Sequence, residues 1–250
     1  MPELSQVVHL LQKVPLFEGL AAVELAHISR AAQYVEVRRD GVFFREGAPA
    51  AVVYVLLHGR VKLTQLTGAA HEVLLAVVGP GECFGTTAAL GNHDYPFSAR
   101  AIRGCRALAW RGEVMAGLME SYPRIALNAF NDLVERIEEW RTRYRELATE
   151  PVEQRVAQAL LRLATKAGWQ TDDGVLIDLP LSRQELAEIA GTTLFTASRV
   201  LRSWARAGYV DAGRQYVAIL QVFALTAIAQ GSPAAPVSSY RRKTAAAPHG

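Results

Sequence analysis

Residues 182–204, SRQELAEIAGTTLFTASRVLRSW, decide how this chain is read. Ser182 followed three residues later by Glu185 forms a capping box, in which each side chain satisfies a backbone N–H at a helix start. A helix is therefore expected from Ser182, with Leu186, Ile189 and Ala190 as its buried stripe and Gly191 as the tight turn that ends it. Thr192 or Thr193 can cap a second helix, on which Ala197, Val200, Leu201 and Trp204 recur at helical spacing and face a core. The opposite face carries Thr193, Thr196, Ser198, Arg199, Arg202 and Arg206, and no acid. Free N–H groups and the positive dipole end favour anions at a helix start, so hydroxyls there suit phosphate oxygens. An arginine on such a face can fork onto O6 and N7 of guanine in the major groove.

The bland alternative is a helical pair with a basic surface. Residues 208–220, GYVDAGRQYVAIL, argue against it, because two alternating runs around Asp211 to Gly213 supply a strand pair. Helix, helix and strand pair in this order make a winged helix-turn-helix. Leu194 and Phe195 stand where polar base-reading side chains are usual. Each either touches a thymine methyl or packs on the neighbouring helix.

Upstream, TDDG leads into VLIDLP, an alternating strand, and Pro151 restarts a helix, VEQRVAQALLRLATKAG, after a hinge at Thr149 and Glu150. Before the hinge, Ala126, Phe130, Leu133, Ile137, Trp140, Tyr144 and Leu147 alternate steps of four and three, an a/d seam. The flanking stretch ERIEEWRTRYRE is highly charged. A narrow apolar seam on such a helix is better explained by a twin across a two-fold axis than by packing on its own domain. Phe130, Leu133, Ile137, Trp140, Tyr144 and Leu147 are thus the expected dimerisation residues. Residues 3–13 space Leu4, Val7, Val8 and Leu11 as a helix that Pro15 ends. From about residue 20 to about 110, glycines separate short alternating segments such as Ala51 to Leu57, Val61 to Leu66 and Glu72 to Val78, a pattern of compact antiparallel β structure. The layout is α+β: residues 1–118 a β-roll with an N-terminal helix, 119–149 the long helix and hinge, 150–230 the winged helix-turn-helix, and 231–250 a small polar tail expected to be disordered.

Bulk numbers bound the function. With 250 residues, half of them apolar, a large core in more than one domain is affordable. Net charge of only +3 permits nucleic-acid binding without arguing for it, so the distribution of charge carries that case. Two cysteines, Cys83 and Cys105, make neither a disulfide framework nor a four-thiolate metal site and fit a reducing cytoplasm. No cationic leader and no apolar run of about 18 residues is present, so neither secretion nor membrane spanning is indicated.

In this order of parts the chain resembles the cyclic-AMP receptor protein and fumarate-nitrate reductase regulator family of bacterial transcription factors, over about residues 7–229. The segments that carry the resemblance are LSRQELAEIAGTT, TASRVLRSWARAGYV, HGRVKL and GPGECFG. It implies a cytoplasmic homodimer that binds pseudo-palindromic double-stranded promoter DNA, works with RNA polymerase, and takes its signal at a cyclic-nucleotide-binding-like jelly roll. Position by position, it implies that Ser182, Arg183 and Gln184 touch the DNA backbone and that the Thr193 and Thr196 hydroxyls bind phosphate, with Thr192 beside them in the expected DNA-binding face. Ser198 and Arg199 match a Ser-Arg pair of which Arg199 is the guanine reader, with Arg202 on the backbone. Leu194 and Phe195 depart from the family, Phe195 replacing the glutamate that accepts from cytosine N4.

The roll departs as well. The resemblance places an effector pocket at Phe84, Gly85, Thr86, Thr87, Phe97 and Ser98. Thr86 replaces the ribose-binding glutamate, and Phe97 replaces the arginine that neutralises the cyclic phosphate. A buried phosphate without that arginine loses a charge-assisted bidentate contact, which argues against cyclic AMP. An iron–sulfur cluster fails on cysteine count. The GTTLxTxSR pattern resembles nitrogen-oxide-responsive relatives, so a haem sensor of nitric oxide stays open, with His9, His27, His58, His71 and His93 as available imidazoles, Pro2 as an N-terminal candidate, and another small apolar effector as the alternative. A metal-dependent cupin enzyme is the reading from another class. It needs clustered histidines, whereas His58, His71 and His93 are isolated.

Overall fold

The computed structural model describes residues 4–66 and 72–232. The expectations for Pro2, His71 and the tail, with its Arg241, Arg242 and Lys243, lie outside the described residues.

Two four-stranded antiparallel sheets form the roll. One has the order β1 (Gln33–Val37), β8 (Cys105–Arg111), β3 (Val52–His58), β6 (Cys83–Phe84). The other has the order β2 (Val42–Phe44), β7 (Ser98–Ala101), β4 (Val61–Leu66), β5 (Glu72–Val78). Alternation along β3 sends its side chains to two different cores. Tyr54 and Leu56 point between the sheets, with Phe44, Val61, Leu63, Phe84 and Ala99. Val53 and Val55 point outward to a helical layer made of α1 (Leu4–Leu11), α2 (Ala22–Arg30), α3 (Gly112–Ser121) and the first turn of α4 (Pro123–Thr149). In that layer Trp110 is buried and its indole N–H donates to the Ile28 carbonyl at 2.9 Å.

The region after residue 20 is not β structure from its start, because α2 intervenes, burying Leu25 and Ile28 one helical step apart. The long helix runs from Pro123, which sits at its first turn where the missing N–H costs nothing.

The C-terminal unit begins with α5 (Val152–Ala167), followed by the hairpin β9 (Gly168–Thr171) and β10 (Gly174–Ile177). Then come α6 (Arg183–Ile189), α7 (Leu194–Arg206), β11 (Val210–Ala212), β12 (Val217–Ile219) and α8 (Val222–Ala229). Its strands form a sheet in the order β11, β12, β10, β9. Val156, Leu160, Ile177, Leu186, Leu201, Trp204 and Ile219 fill its centre. Leu74, Val77 and Ile102 of the roll belong to the same buried cluster, so the two units share a core. Polar contacts border it: Lys166 pairs with Glu82, Arg103 with Asp178, and Arg60 donates to the Lys166 carbonyl at 2.7 Å.

Candidate DNA interface, seam and sensory cleft

The helix pair forms as its local signals require. Ser182 Oγ accepts from the Glu185 N–H at 3.1 Å, and Glu185 Oε2 accepts from the Ser182 N–H at 2.8 Å. Gly191 has φ +59°, a left-handed turn favoured by glycine. A Cβ there would lie 2.1 Å from Leu147 Cδ2, so the tip of the long helix closes over the turn. Thr193, rather than Thr192, caps α7, accepting from the Thr196 N–H at 3.2 Å. Ala197, Val200, Leu201 and Trp204 are buried.

The opposite face of α7 is largely uncovered among the described residues. Thr193, Leu194, Phe195, Arg199 and Arg202 are exposed, while Thr192, Thr196 and Ser198 are half-buried. Phe195 is 82% exposed, which decides between its two readings: it does not pack on the neighbouring helix. Near α6 the expected backbone contacts are partly engaged within the protein. Ser182 is the cap, Gln184 donates to Glu188 Oε1 at 2.7 Å, and Arg183 Nη2 donates to the Ala212 carbonyl of the wing at 3.1 Å. Arg183 Nη1 is buried without a partner among the described residues. Burial and then the neighbouring Arg202 charge hold the Arg183 guanidinium below its ordinary pKa. An anion placed beside the two guanidiniums would offset that repulsion.

The wing turn is closed by Gly213 N–H donating to the Tyr216 carbonyl at 2.9 Å and by Tyr216 Oη donating to Asp211 Oδ2 at 2.7 Å. Burial first, then the Asp211 carboxylate, pushes the Tyr216 phenol up to about 12. Between them the turn exposes Arg214, a cation that the sequence reading passed over and that its place in the wing turn could have flagged.

Along α4 the seam stands open. Phe130, Leu133, Ile137, Trp140, Tyr144 and Leu147 are all exposed, from 47% at Ile137 to 75% at Tyr144. Leu127 and Val134 join them. Beside the seam, between β5 and the side of α4 that carries Ala129, Asp132, Arg136, Glu139 and Arg143, lies a cleft of about 770 Å³, with Phe130 and Leu133 at its edge.

The six residues expected to form one effector pocket divide between two places. Thr86 and Thr87 line the cleft, on the short helical turn Thr86–Leu90, together with Cys83 and Arg136. Phe84 and Phe97 instead belong to an aromatic packing inside the roll. Phe44 stacks on Tyr95 with ring centroids 3.8 Å apart, Phe84 stacks on Tyr54 at 5.1 Å, and Phe97 tilts against Phe44 at 6.1 Å. Tyr95 is pinned: its hydroxyl donates to the Val52 carbonyl at 2.8 Å and accepts from the Val52 N–H at 2.9 Å. Burial, and then Tyr95, push the Tyr54 phenol up to about 12. Ser98 Oγ accepts from the Glu46 N–H at 3.0 Å. Gly85, at φ +72°, lets the chain pass the Val52 carbonyl, which a Cβ would approach to 2.7 Å.

Among the described residues no histidine lines the cleft. His9, His27, His58 and His93 are exposed elsewhere, and His27 Nδ1 lies 2.7 Å from Tyr122 Oη. A haem held by histidine therefore does not fit the described cleft. Among the described residues no three histidine, cysteine or acidic side chains could hold a metal ion. Burial raises both thiols, Cys83 to about 12 with Asp132 adding to the effect, so neither is an activated thiolate. Among the described residues no helix is long and apolar enough to cross a membrane.

Comparison with known proteins agrees with this division. Residues 34–122 match the model of the cyclic nucleotide-binding domain, and residues 154–228 match the Crp-like helix-turn-helix domain. The chain is 31% identical over 220 residues to the cyclic AMP receptor protein of Thermus thermophilus, covering 87% of this chain and 97% of that one. It is 25% identical over 201 residues to the CRP-like cAMP-activated global transcriptional regulator of Mycobacterium tuberculosis, covering 80% and 90%. The structure of the c-di-GMP responsive global regulator CLP of Xanthomonas campestris has the same fold, with a TM-score of 0.67 at 22% identity, covering 80% of this chain and 99% of that one.

Proposed function

Because the chain belongs to the cyclic-AMP receptor protein and fumarate-nitrate reductase regulator family of DNA-binding transcription regulators, we propose that it binds a pseudo-palindromic promoter site as a homodimer. The observation that carries the reading is the acid-free outer face of α7, with Arg199 exposed and the Arg183–Arg202 pair beside it. In this reading α7 enters the major groove, Arg199 forks onto a guanine, and the Thr193 and Thr196 hydroxyls meet phosphates at the helix start. Phe195 meets a thymine methyl. Arg183 and Arg202 share a phosphate, and Arg214 on the wing meets the backbone beyond it. Two copies are joined along the α4 seam, which sets their recognition helices on successive turns of one duplex face. Contact with RNA polymerase belongs to the same proposal and rests on the family alone.

In this reading the effector is not cyclic AMP. Phe97 occupies the position of the phosphate-binding arginine and packs on Phe44, Thr86 stands for the ribose glutamate, and the roll interior is filled by its own rings. An enzyme reading is disfavoured by relatives that are regulators. Selection of bound DNA from a random pool, with and without cyclic AMP, tests all of this. The expected result is an inverted repeat with a guanine in each half, enriched equally in both arms. Enrichment of an unpaired motif, or dependence on cyclic AMP, would contradict it.

A further inference from the structure

One side chain ties the long helix to the reading head. Arg155, on the first turns of α5, donates from Nη1 to the Glu150 carbonyl at 2.8 Å and to the Leu147 carbonyl at 3.4 Å. The same guanidinium donates from Nε to the Ala190 carbonyl at 2.9 Å and from Nη2 to the Gly191 carbonyl at 3.0 Å. The first two acceptors are at the C-terminal end of α4, and the others are at the end of α6, just before the recognition helix. The last carbonyls of a helix lack intrahelical donors and carry the negative end of its dipole. Two such ends converge on one planar cation, whose fork satisfies both at once.

The joint has further parts. Leu147 covers Gly191, where a side chain would collide with it. Gln158, three residues along α5, donates to Glu150 Oε2 at 2.7 Å and to the Ala229 carbonyl at 3.1 Å. Arg162, seven along, donates to both carboxylate oxygens of the buried Glu146, at 3.0 and 2.7 Å. Thr149 and Glu150 stand where the sequence predicts a hinge. In the structure this segment is bridged by side chains from one face of α5.

We infer that Arg155 is a positioning residue that sets the angle of α7 on the long helix, and through it the half-site spacing that the dimer accepts. It touches no DNA. The inference rests on the dimeric reading above. In a dimer whose two α4 helices are clamped together, the distance between recognition helices is fixed only as firmly as each head is fixed to its own α4. Losing the guanidinium frees one head from the other without altering the face that either presents to a half-site.

The test uses the full-length chain with R155M and R155K, on a selected site whose two halves are moved apart or together by single base pairs, and on a duplex holding one half only. Wild type should show a sharp optimum. R155M should lose about tenfold or more at that optimum, the scale expected for lost charge-assisted bonds. Its affinity for the single half and its sedimentation as a dimer should stay unchanged, so that its spacing profile flattens. R155K fills the stem but cannot fork to both helix ends, and should fall between the two; it carries the test should R155M fail to fold. Two variants with the wild-type spacing profile, or with equal losses on the single half, would overturn the inference. A wild-type chain that is monomeric or indifferent to spacing would instead overturn the dimeric reading and take this one with it.

Discussion

Ile137→Glu combined with Trp140→Glu should turn a dimer into monomers. In the single chain Trp140 is 62% and Ile137 47% exposed, so roughly half of each side chain is left for a twin helix to cover. Full burial of an apolar side chain of this size stabilises by about 1.5 to 3 kcal/mol, so each half-burial contributes about 1 kcal/mol. A two-fold axis counts each position twice, and four such contributions total about 4 kcal/mol. At about 1.4 kcal/mol per decade, the dimerisation constant weakens about a thousandfold before any charge is considered. Carboxylates brought together near the axis weaken it further. The assay is sedimentation velocity over a wide range of concentrations, paired with circular dichroism. Helix content and melting should change little, because both side chains are exposed in the folded chain. Affinity for the full site should fall towards that for a single half. A dimerisation constant equal to that of wild type would refute the seam assignment.

Arg199→Ala should cost about 1 to 3 kcal/mol at one guanine position and relax preference there alone, as read by competition between single-base variants of the site. Arg202→Ala should weaken all sequences alike and lower the salt slope by about one unit; a sequence-selective loss would mean that the two arginines have exchanged roles. Phe195→Glu should change the base preference while leaving the melting temperature nearly constant, since the ring is 82% exposed; a large drop in stability would show that it packs. Cys83 borders the cleft, yet the packing around its thiol pushes it up to about 12, so at pH 8 its small thiolate fraction should make it alkylate much more slowly in the native protein than in urea. The linkage has a sign as well. The folded pKa is raised, so above about pH 8.5 the unfolded chain loses this proton first and stability falls with rising pH, until the folded thiol also ionises. Matching alkylation rates in the two states would remove both expectations.

The winged unit was legible because its signals are local and agree. A capping box, a glycine turn, one apolar stripe per helix and a strand pair all fall within about forty residues, and each independently demands the same arrangement. The long helix was legible for the same reason, its apolar spacing surviving the charge around it. Helix α2 was not, since it starts without a side-chain cap and buries few apolar residues, leaving a weak period. Strand β9 was hidden too: Gly168–Thr171 has no alternating pattern and exists because β10 offers it a partner. The effector residues divided because the turn Thr86–Leu90 sends its threonines outward, while Phe84 and Phe97 are drawn into rings contributed by β2, β3 and the loop at Tyr95. Arg155 belongs to the same class: four carbonyls from two distant helix ends give no periodic trace along the chain.

The shared core beneath the reading head has a consequence for how the molecule comes apart. Leu74, Val77 and Ile102 are counted among the buried residues of the C-terminal unit although they lie on the roll. A fragment cut at the Glu150–Pro151 bond would leave one side of its interior without that apolar cover, at the ends of the Lys166–Glu82 and Arg103–Asp178 pairs. Heat or denaturant should therefore melt roll and head in one transition, because neither can lose its fold without uncovering the other.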